Sequence, residues 1–369
     1  MKAYRFITAL GACAVLAFGA AACGSDDDSG SSSTSSSSAQ KGGTINGAGA
    51  TFPQPIYSEW AAQFKDAQGT TVNYQGIGSG GGVAQFSEGT VDFGATDSAM
   101  DDDEIKTAEK KGSTPVHVPT VAGAVTVSYN VSGVDKGLKL DGETIANIFL
   151  GKITTWNDQA IASQNSGVDL PDTKITVCHR SDESGTTKNF TQFLANYSKA
   201  WESGPGVDKS VKWPTGTGAK GNDGVAACIK QTEGAVGYVE QAYALQNNFT
   251  YASVKNKDGQ YVEPTLEAAS AAVAGANPPA DLRFSTIDAS GADAYPITAT
   301  TFLLVWEDQC KAGIKESTAG LVKDWLNYGL GDGQKVAEQL EYAPLPSDVL
   351  SKAQAKVDAL QCNGSPLKG

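Results

Sequence analysis

The sequence predicts an α/β fold with mixed sheets. Two observations carry the prediction. From Gly43 onward, short runs of β-forming residues alternate with longer helical stretches. At three places a turn rich in Gly, Ser and Thr comes immediately before a helix. Composition agrees with a packed protein: 40% of the 369 residues are hydrophobic and 19% charged, which excludes a wholly disordered chain, and the length suits two domains.

In chain order, Lys2 and Arg5 precede an apolar run from Phe6 to Ala22, which reads as a secretory signal peptide over residues 1–22. The run is short for a transmembrane helix, which needs about 20 strongly apolar residues. Its end, Gly19-Ala20-Ala21-Ala22-Cys23, resembles the lipobox of bacterial lipoproteins, with Ala20 where that motif prefers Leu. Leu10-Gly11-Ala12-Cys13 fits the motif better but has too short an apolar stretch before it. Cys23 is therefore the expected lipidation site; ordinary cleavage is the competing reading. Gly24 to Ala39 is Ser, Asp, Gly and Thr without a large apolar residue, so residues 23–42 are expected to be a lipidated Cys and a tether.

Strands are expected at Thr70–Gln75, Lys174–Cys178, Ala235–Val239 and Thr300–Val305. Val116–Asn130 reads as a long β-rich run broken by Pro119 and Gly123. Helices are expected at Gln54–Ala67, Gly82–Glu88, Asp141–Leu150, Thr187–Tyr197, Gly221–Lys230 and Pro344–Leu360. No internal repeat of solenoid period is present.

Charge and residue counts remove whole classes of function. Lys and Arg total 28 against 41 Asp and Glu, a net −13 that becomes −15 if residues 1–22 and their two cations are removed. No surplus positive charge exists to neutralise a nucleic-acid backbone, so no nucleic-acid partner is expected. His117 and His179 are the only histidines, which argues against a His-rich metal site, and no metal or cofactor is expected. A phosphatase would need a nucleophile motif or a metal pair; neither Gly-x-Ser-x-Gly nor a His/Asp cluster is present, so no catalysis is expected. Cys178, Cys228, Cys310 and Cys362 form an even set, which in an exported chain suggests two disulfides with three possible pairings.

The three turns are Gly47–Pro53 (GAGATFP), Gly76–Gly82 (GIGSGGG) and Arg180–Thr187 (RSDESGTT). Each helix start offers unpaired N–H groups and the positive end of a dipole, while Gly allows close approach and Ser/Thr hydroxyls add donors, a set suited to a small oxyanion. Taken singly, each turn also reads as ordinary capping, with Thr51 at or near the first N-cap. Gly76, Gly78 and Gly81 match a dinucleotide-loop pattern, but an exported chain has little access to NAD. The third turn lacks the Gly-Lys-Ser/Thr of a Walker A loop.

Seven stretches in order resemble the phosphate-binding protein family, PstS, of the bacterial phosphate ABC transporter. They are Gly47–Pro53, Val72–Ser79 (VNYQGIGS), Val91–Asp97 (VDFGATD), Lys212–Pro214 (KWP), Gly218–Gly224 (GAKGNDG), Gly234–Glu240 (GAVGYVE) and Pro296–Phe302 (PITATTF). The resemblance covers nearly the whole chain after residue 43. It implies a two-lobe periplasmic-binding-protein fold (type II-like) with a ligand cleft between lobes and two hinge crossings. Lobe 1 would take 43–120 plus 296–369 and lobe 2 121–295. Each of the pairs Cys178–Cys228 and Cys310–Cys362 then falls within one lobe, which selects that pairing. The resemblance implies inorganic phosphate as ligand, held by Thr51, Phe52, Ser79, Asp97, Arg180, Ser184, Gly185 and Thr186, with Asp182 holding Arg180. It also implies delivery to a membrane permease; with the lipobox-like stretch at Cys23, the expectation is a monomer lipid-anchored on the extracytoplasmic face. His179 before Arg180, and Glu183 where Gly is common, depart from the family pattern.

The physics of the residues fits. Arg180 is one of two arginines that would remain after export, and a guanidinium fork suits an oxyanion. Asp97 beside an anion makes sense once protons are counted: phosphate carries a P–OH that can donate to a carboxylate, whereas sulfate at neutral pH has none and would face a repulsive acceptor. Two other readings stand beside this one: a non-catalytic surface interaction protein, and a binder of another tetrahedral oxyanion. The run Asp101–Glu104 reads as a solvated helix start, Trp60, Trp156, Trp213 and Trp325 as packing, and His117 as a strand residue without a chemical role.

Overall fold

The computed structural model describes residues 42–368. The expected signal peptide, Cys23 and the tether up to residue 41 lie outside the described residues. The main elements run β1 (Gly43–Gly49), α1 (Gln54–Gln68), β2 (Thr70–Gly76), α2 (Ser79–Glu88), β3 (Phe93–Thr96), α3 (Asp102–Ala108) and β4 (Pro115–Asn130). Then come α4 (Gly142–Phe149), β5 (Thr176–Arg180), α5 (Gly185–Tyr197), β6 (Thr217–Ala219), α6 (Gly221–Gln231), β7 (Ala235–Glu240) and α7 (Gln241–Gln246). The chain closes with α8 (Leu266–Gly275), β8 (Thr298–Trp306), α9 (Glu316–Leu330) and α10 (Ser347–Asp358). The result is the expected α/β fold with two lobes built on one curled mixed sheet.

The sheet order is β2-β1-β3-β8-β4-β7-β5-β6. The flanking strands pair in parallel, β2-β1-β3 on one side and β7-β5-β6 on the other, while β8 and β4 run antiparallel between them. The 16-residue β4 joins the two halves: residues 115–124 pair with β8 and residues 125–130 with β7. Nearly all of β4 is buried, so its polarity does not alternate, as expected of a strand covered on both faces.

Pro119 and Gly123 do not break this strand. The register with β8 shifts so that Thr120 is left over as a bulge, which absorbs the proline's missing donor. The Thr120 hydroxyl is engaged by Tyr57 Oη at 2.7 Å and donates to the Thr301 carbonyl at 3.2 Å.

Each half has its own aromatic core. In the first, α1 turns Ile56, Trp60 and Phe64 inward at helical spacing, with Tyr57 beside them. Trp325 of α9 meets Trp60 and Phe64 at centroid distances of 6.0 and 5.5 Å. In the second, Phe190 stacks on Tyr238 at 4.4 Å and Trp213 on His179 at 4.6 Å. These tryptophans pack, as expected. The disulfides are Cys178–Cys228, joining β5 to α6, and Cys310–Cys362.

The acidic run is more than a solvated helix start. Asp101 caps α3 in a box with Glu104, while Asp102 accepts from Arg283 Nη2 at 3.1 Å and Glu104 pairs with Lys209. His117 also has a partner: its Nε2 accepts the Met100 N–H at 3.0 Å, and burial drives its pKa down to about 4, keeping it neutral.

Candidate functional site

The three glycine turns leave the carboxyl ends of β1, β2 and β5, where an α/β sheet gathers ligands. Asp97 follows β3 at the same edge. The structure brings these segments together. Gly185 opens α5 so close to the β3 side that a Cβ there would lie 2.5 Å from Ser79 Oγ and 2.9 Å from the Asp97 nitrogen. Gly78 (φ +93°) touches the other side, its hypothetical Cβ 2.6 Å from Asp182 Oδ2. The side chains of Thr51, Ser79, Asp97, Arg180, Ser184 and Thr186 are all at most 4% exposed.

Asp97 is the acceptor at the centre. Its Oδ1 takes the Thr301 hydroxyl at 2.8 Å, and its Oδ2 is reached only loosely, by Ser79 Oγ and Thr186 Oγ1 at 3.4 Å each. Asn189 Nδ2 holds the Asp97 carbonyl at 2.6 Å. Burial pushes its carboxyl up to about 6, although the bonds from Thr301, Thr186 and Ser79 and the Arg180 charge all pull the other way.

Arg180 ends β5. Asp182 grips it as a fork, Nε to Oδ1 at 2.7 Å and Nη2 to Oδ2 at 2.5 Å, which leaves Nη1 buried with no hydrogen-bond partner among the described residues. Burial alone would raise the Asp182 carboxyl; the Arg180 bonds and charge and the Gly221 N–H at 3.1 Å outweigh it and hold the group below the usual carboxylate range. Ser184 caps α5 by accepting the Thr187 N–H at 3.1 Å, so the helix begins at Gly185, two residues before the expected Thr187.

Thr51 does not cap α1. That position is Pro53, and the Thr51 hydroxyl instead accepts from Asn222 twice, from the backbone N–H at 3.1 Å and from Nδ2 at 3.0 Å. Tyr243 donates to the Thr51 carbonyl at 2.6 Å and Tyr342 to the Phe52 carbonyl at 2.7 Å. The two departures from the family pattern make no hydrogen bond to Asp97 or to the hydroxyls around it. His179 stacks on Trp213, and Glu183 is exposed on an acidic groove beside α2 and α3.

Sequence reasoning passed over Thr301, Asn189, Asn222 and Tyr243. Thr301 and Asn222 lie inside stretches that carried the family resemblance, which was the available signal. Asn189 and Tyr243 gave none. Among the described residues no helix is long and apolar enough to cross a membrane, and no cluster of metal-ligating side chains occurs.

The fold and this cleft define a solute-binding protein, and comparison with known proteins agrees. Residues 34–332 match the family model described as a PBP superfamily domain. The chain is 42% identical to the phosphate-binding protein PstS of Xylella fastidiosa over 314 residues, 84% of each chain. It is also 42% identical to PstS of Pasteurella multocida over 316 residues, 85% of this chain and 89% of that one. A solved high-affinity periplasmic phosphate-binding protein, PfluDING, bound with phosphate at pH 8.5, shares the fold with a TM-score of 0.72 at 24% identity, over 87% of this chain and 96% of that one. The chain belongs to the PstS family of phosphate-binding proteins within the PBP superfamily.

Proposed function

We propose that this protein captures inorganic phosphate between its two lobes and delivers it to the permease of a phosphate ABC transporter. The observation that carries the reading is Asp97, a buried acceptor set among hydroxyls within range of the Arg180 charge. With Oδ1 committed to Thr301, the loosely held Oδ2 accepts the P–OH of hydrogen phosphate. The unpaired Nη1 of Arg180, the start of α5 at Ser184, Gly185 and Thr186, and the hydroxyls of Thr51 and Ser79 supply donors, with the Phe52 backbone beside them. Ligand binds and leaves unchanged, so the chain acts without catalysis. Arsenate carries the same proton pattern and competes; sulfate does not.

The lobes of this reading are 43–120 plus 296–369 and 121–295. Supporting the hinge, β4 carries its bulge at Thr120 and exchanges β8 for β7 after Ala124, and Tyr295 Oη bonds the Val125 carbonyl at 3.2 Å. The protein is exported, anchored through lipidated Cys23 and works as a monomer on the extracytoplasmic face. Calorimetry on protein stripped of carried-over ligand tests the central statement. One-to-one phosphate binding is expected, with sulfate at least ~100-fold weaker; folded protein that binds no phosphate would sink it.

A further inference from the structure

Helix α6 begins with two residues that reach both sides of the cleft. The Gly221 N–H bonds Asp182, which grips Arg180, and Asn222 bonds the Thr51 hydroxyl through both its backbone and its side-chain nitrogen. Asn222 is fully buried and its amide cannot be turned round, because Oδ1 already accepts the Glu240 N–H at 3.0 Å. A hydroxyl oxygen has two acceptor sites and one proton. Asn222 fills both acceptor sites of Thr51, and no acceptor among the described residues takes the proton. Thr51 is thereby left able only to donate.

We propose that Asn222 is a positioning residue that makes Thr51 an obligate hydrogen-bond donor to the bound oxyanion and ties that donor to the Arg180–Asp182 pair through α6. The proposal rests on the phosphate reading above. A Thr51 free to rotate could present lone pairs to an anion, which repels. With Asn222 in place it presents only its proton. The same contact spans 171 residues of sequence, from the turn after β1 to α6, so the donor is set only when the two lobes meet.

A double-mutant cycle in phosphate affinity, read by calorimetry with stopped-flow dissociation on the full chain, tests this. Asn222→Ala is expected to weaken phosphate binding about 10-fold, mostly by faster dissociation. Its phosphate-to-sulfate ratio should stay near that of the wild type, because Asp97 sets that ratio. In a Thr51→Val background the same Asn222→Ala change is expected to cost less than about 2-fold. Effects that multiply independently would overturn the proposal, as would an Asn222→Ala protein of wild-type affinity. Asn222→Asp keeps the acceptor for Glu240 and replaces the donor with a group that can take the Thr51 proton. It guards against a misfolded Asn222→Ala, and a loss of about 100-fold, larger than for Ala, is expected; a smaller loss than for Ala counts against the proposal. Wild-type protein that binds no phosphate overturns this proposal together with the functional reading, whereas phosphate binding without coupling overturns this proposal alone.

Discussion

The two walls of the cleft each hold an aspartate within range of Arg180, and they treat it in opposite ways. On the β3 side, Asp97 is surrounded by hydroxyls, keeps Oδ2 loosely held, and is pushed up to about 6 by burial. On the β5–α6 side, Asp182 is clamped by two guanidinium bonds and the Gly221 N–H and is held low. The difference teaches what each carboxylate is for. Asp182 spends its acceptors on the protein and fixes Arg180, whereas Asp97 retains acceptor capacity, which a protonated ligand can use.

The hardest way to break the contrast is to remove the residue both aspartates share. Arg180→Ala should abolish measurable phosphate binding, a loss of at least ~1000-fold. It should also lower stability by about 1–3 kcal/mol, because the part-buried Asp182 then loses both guanidinium bonds and keeps only the Gly221 N–H. Thermal unfolding beside calorimetry checks both; a stable variant that still binds would show that Asp182 does not depend on the pair.

Asp97→Asn should act in the opposite direction on stability. The folded protein holds the Asp97 proton more tightly than the unfolded chain, so this group's contribution is complete below about pH 4 and is lost as pH rises through about 6. The Asn variant lacks that loss. Before phosphate is added it should therefore outlast the wild type at pH 7 by up to roughly 3 kcal/mol, and match it at pH 4. Denaturant melts at the two pH values decide this. In the same variant the gap between phosphate and sulfate affinity should narrow from ~100-fold towards parity.

The two disulfides sharpen the comparison further. Replacing Cys178 and Cys228 by Ser should lower stability by about 2–4 kcal/mol and also weaken phosphate binding, because that bond ties the Arg180 strand to α6. Replacing Cys310 and Cys362 should cost similar stability with affinity nearly unchanged. Equal effects on affinity would remove the special role given to α6. The smallest effect expected is for Tyr243→Phe, which deletes one donor to the Thr51 carbonyl and should weaken binding a few-fold, read as a faster dissociation rate.

The walls also differ in how far they could be read from sequence. The glycine turns and Arg180 beside Asp182 are local patterns, and they are found where the sequence puts them; the helix after the third turn starts at Gly185, two residues before the expected Thr187. Strand β1 is not local. Gly43–Gly49 holds three Gly and one β-branched pair, and it is a strand because β2 and β3 flank it in parallel register. Helix α9 carries Gly320 and Gly329, poor helix formers, and Gly329 is there because the Trp60 ring lies against it. The bond from Thr301 to Asp97 spans 204 residues, and that from Asn222 to Thr51 spans 171. Such pairs carry no spacing rule. Pro119 misled for a related reason: a bulge, which only the partner strand reveals, accommodates it.

The bonds that close over the Thr51 turn have a kinetic meaning. On the phosphate reading, an anion held there leaves only once Asn222 and Tyr243 release the turn, because the side chains around it are nearly excluded from solvent. Its residence time is then the lifetime of bonds it does not itself make. On the same reading, a permease that receives the anion has no need to compete for its oxygens. It has to pull two protein surfaces apart, and the handover becomes mechanical work done on the turn after β1.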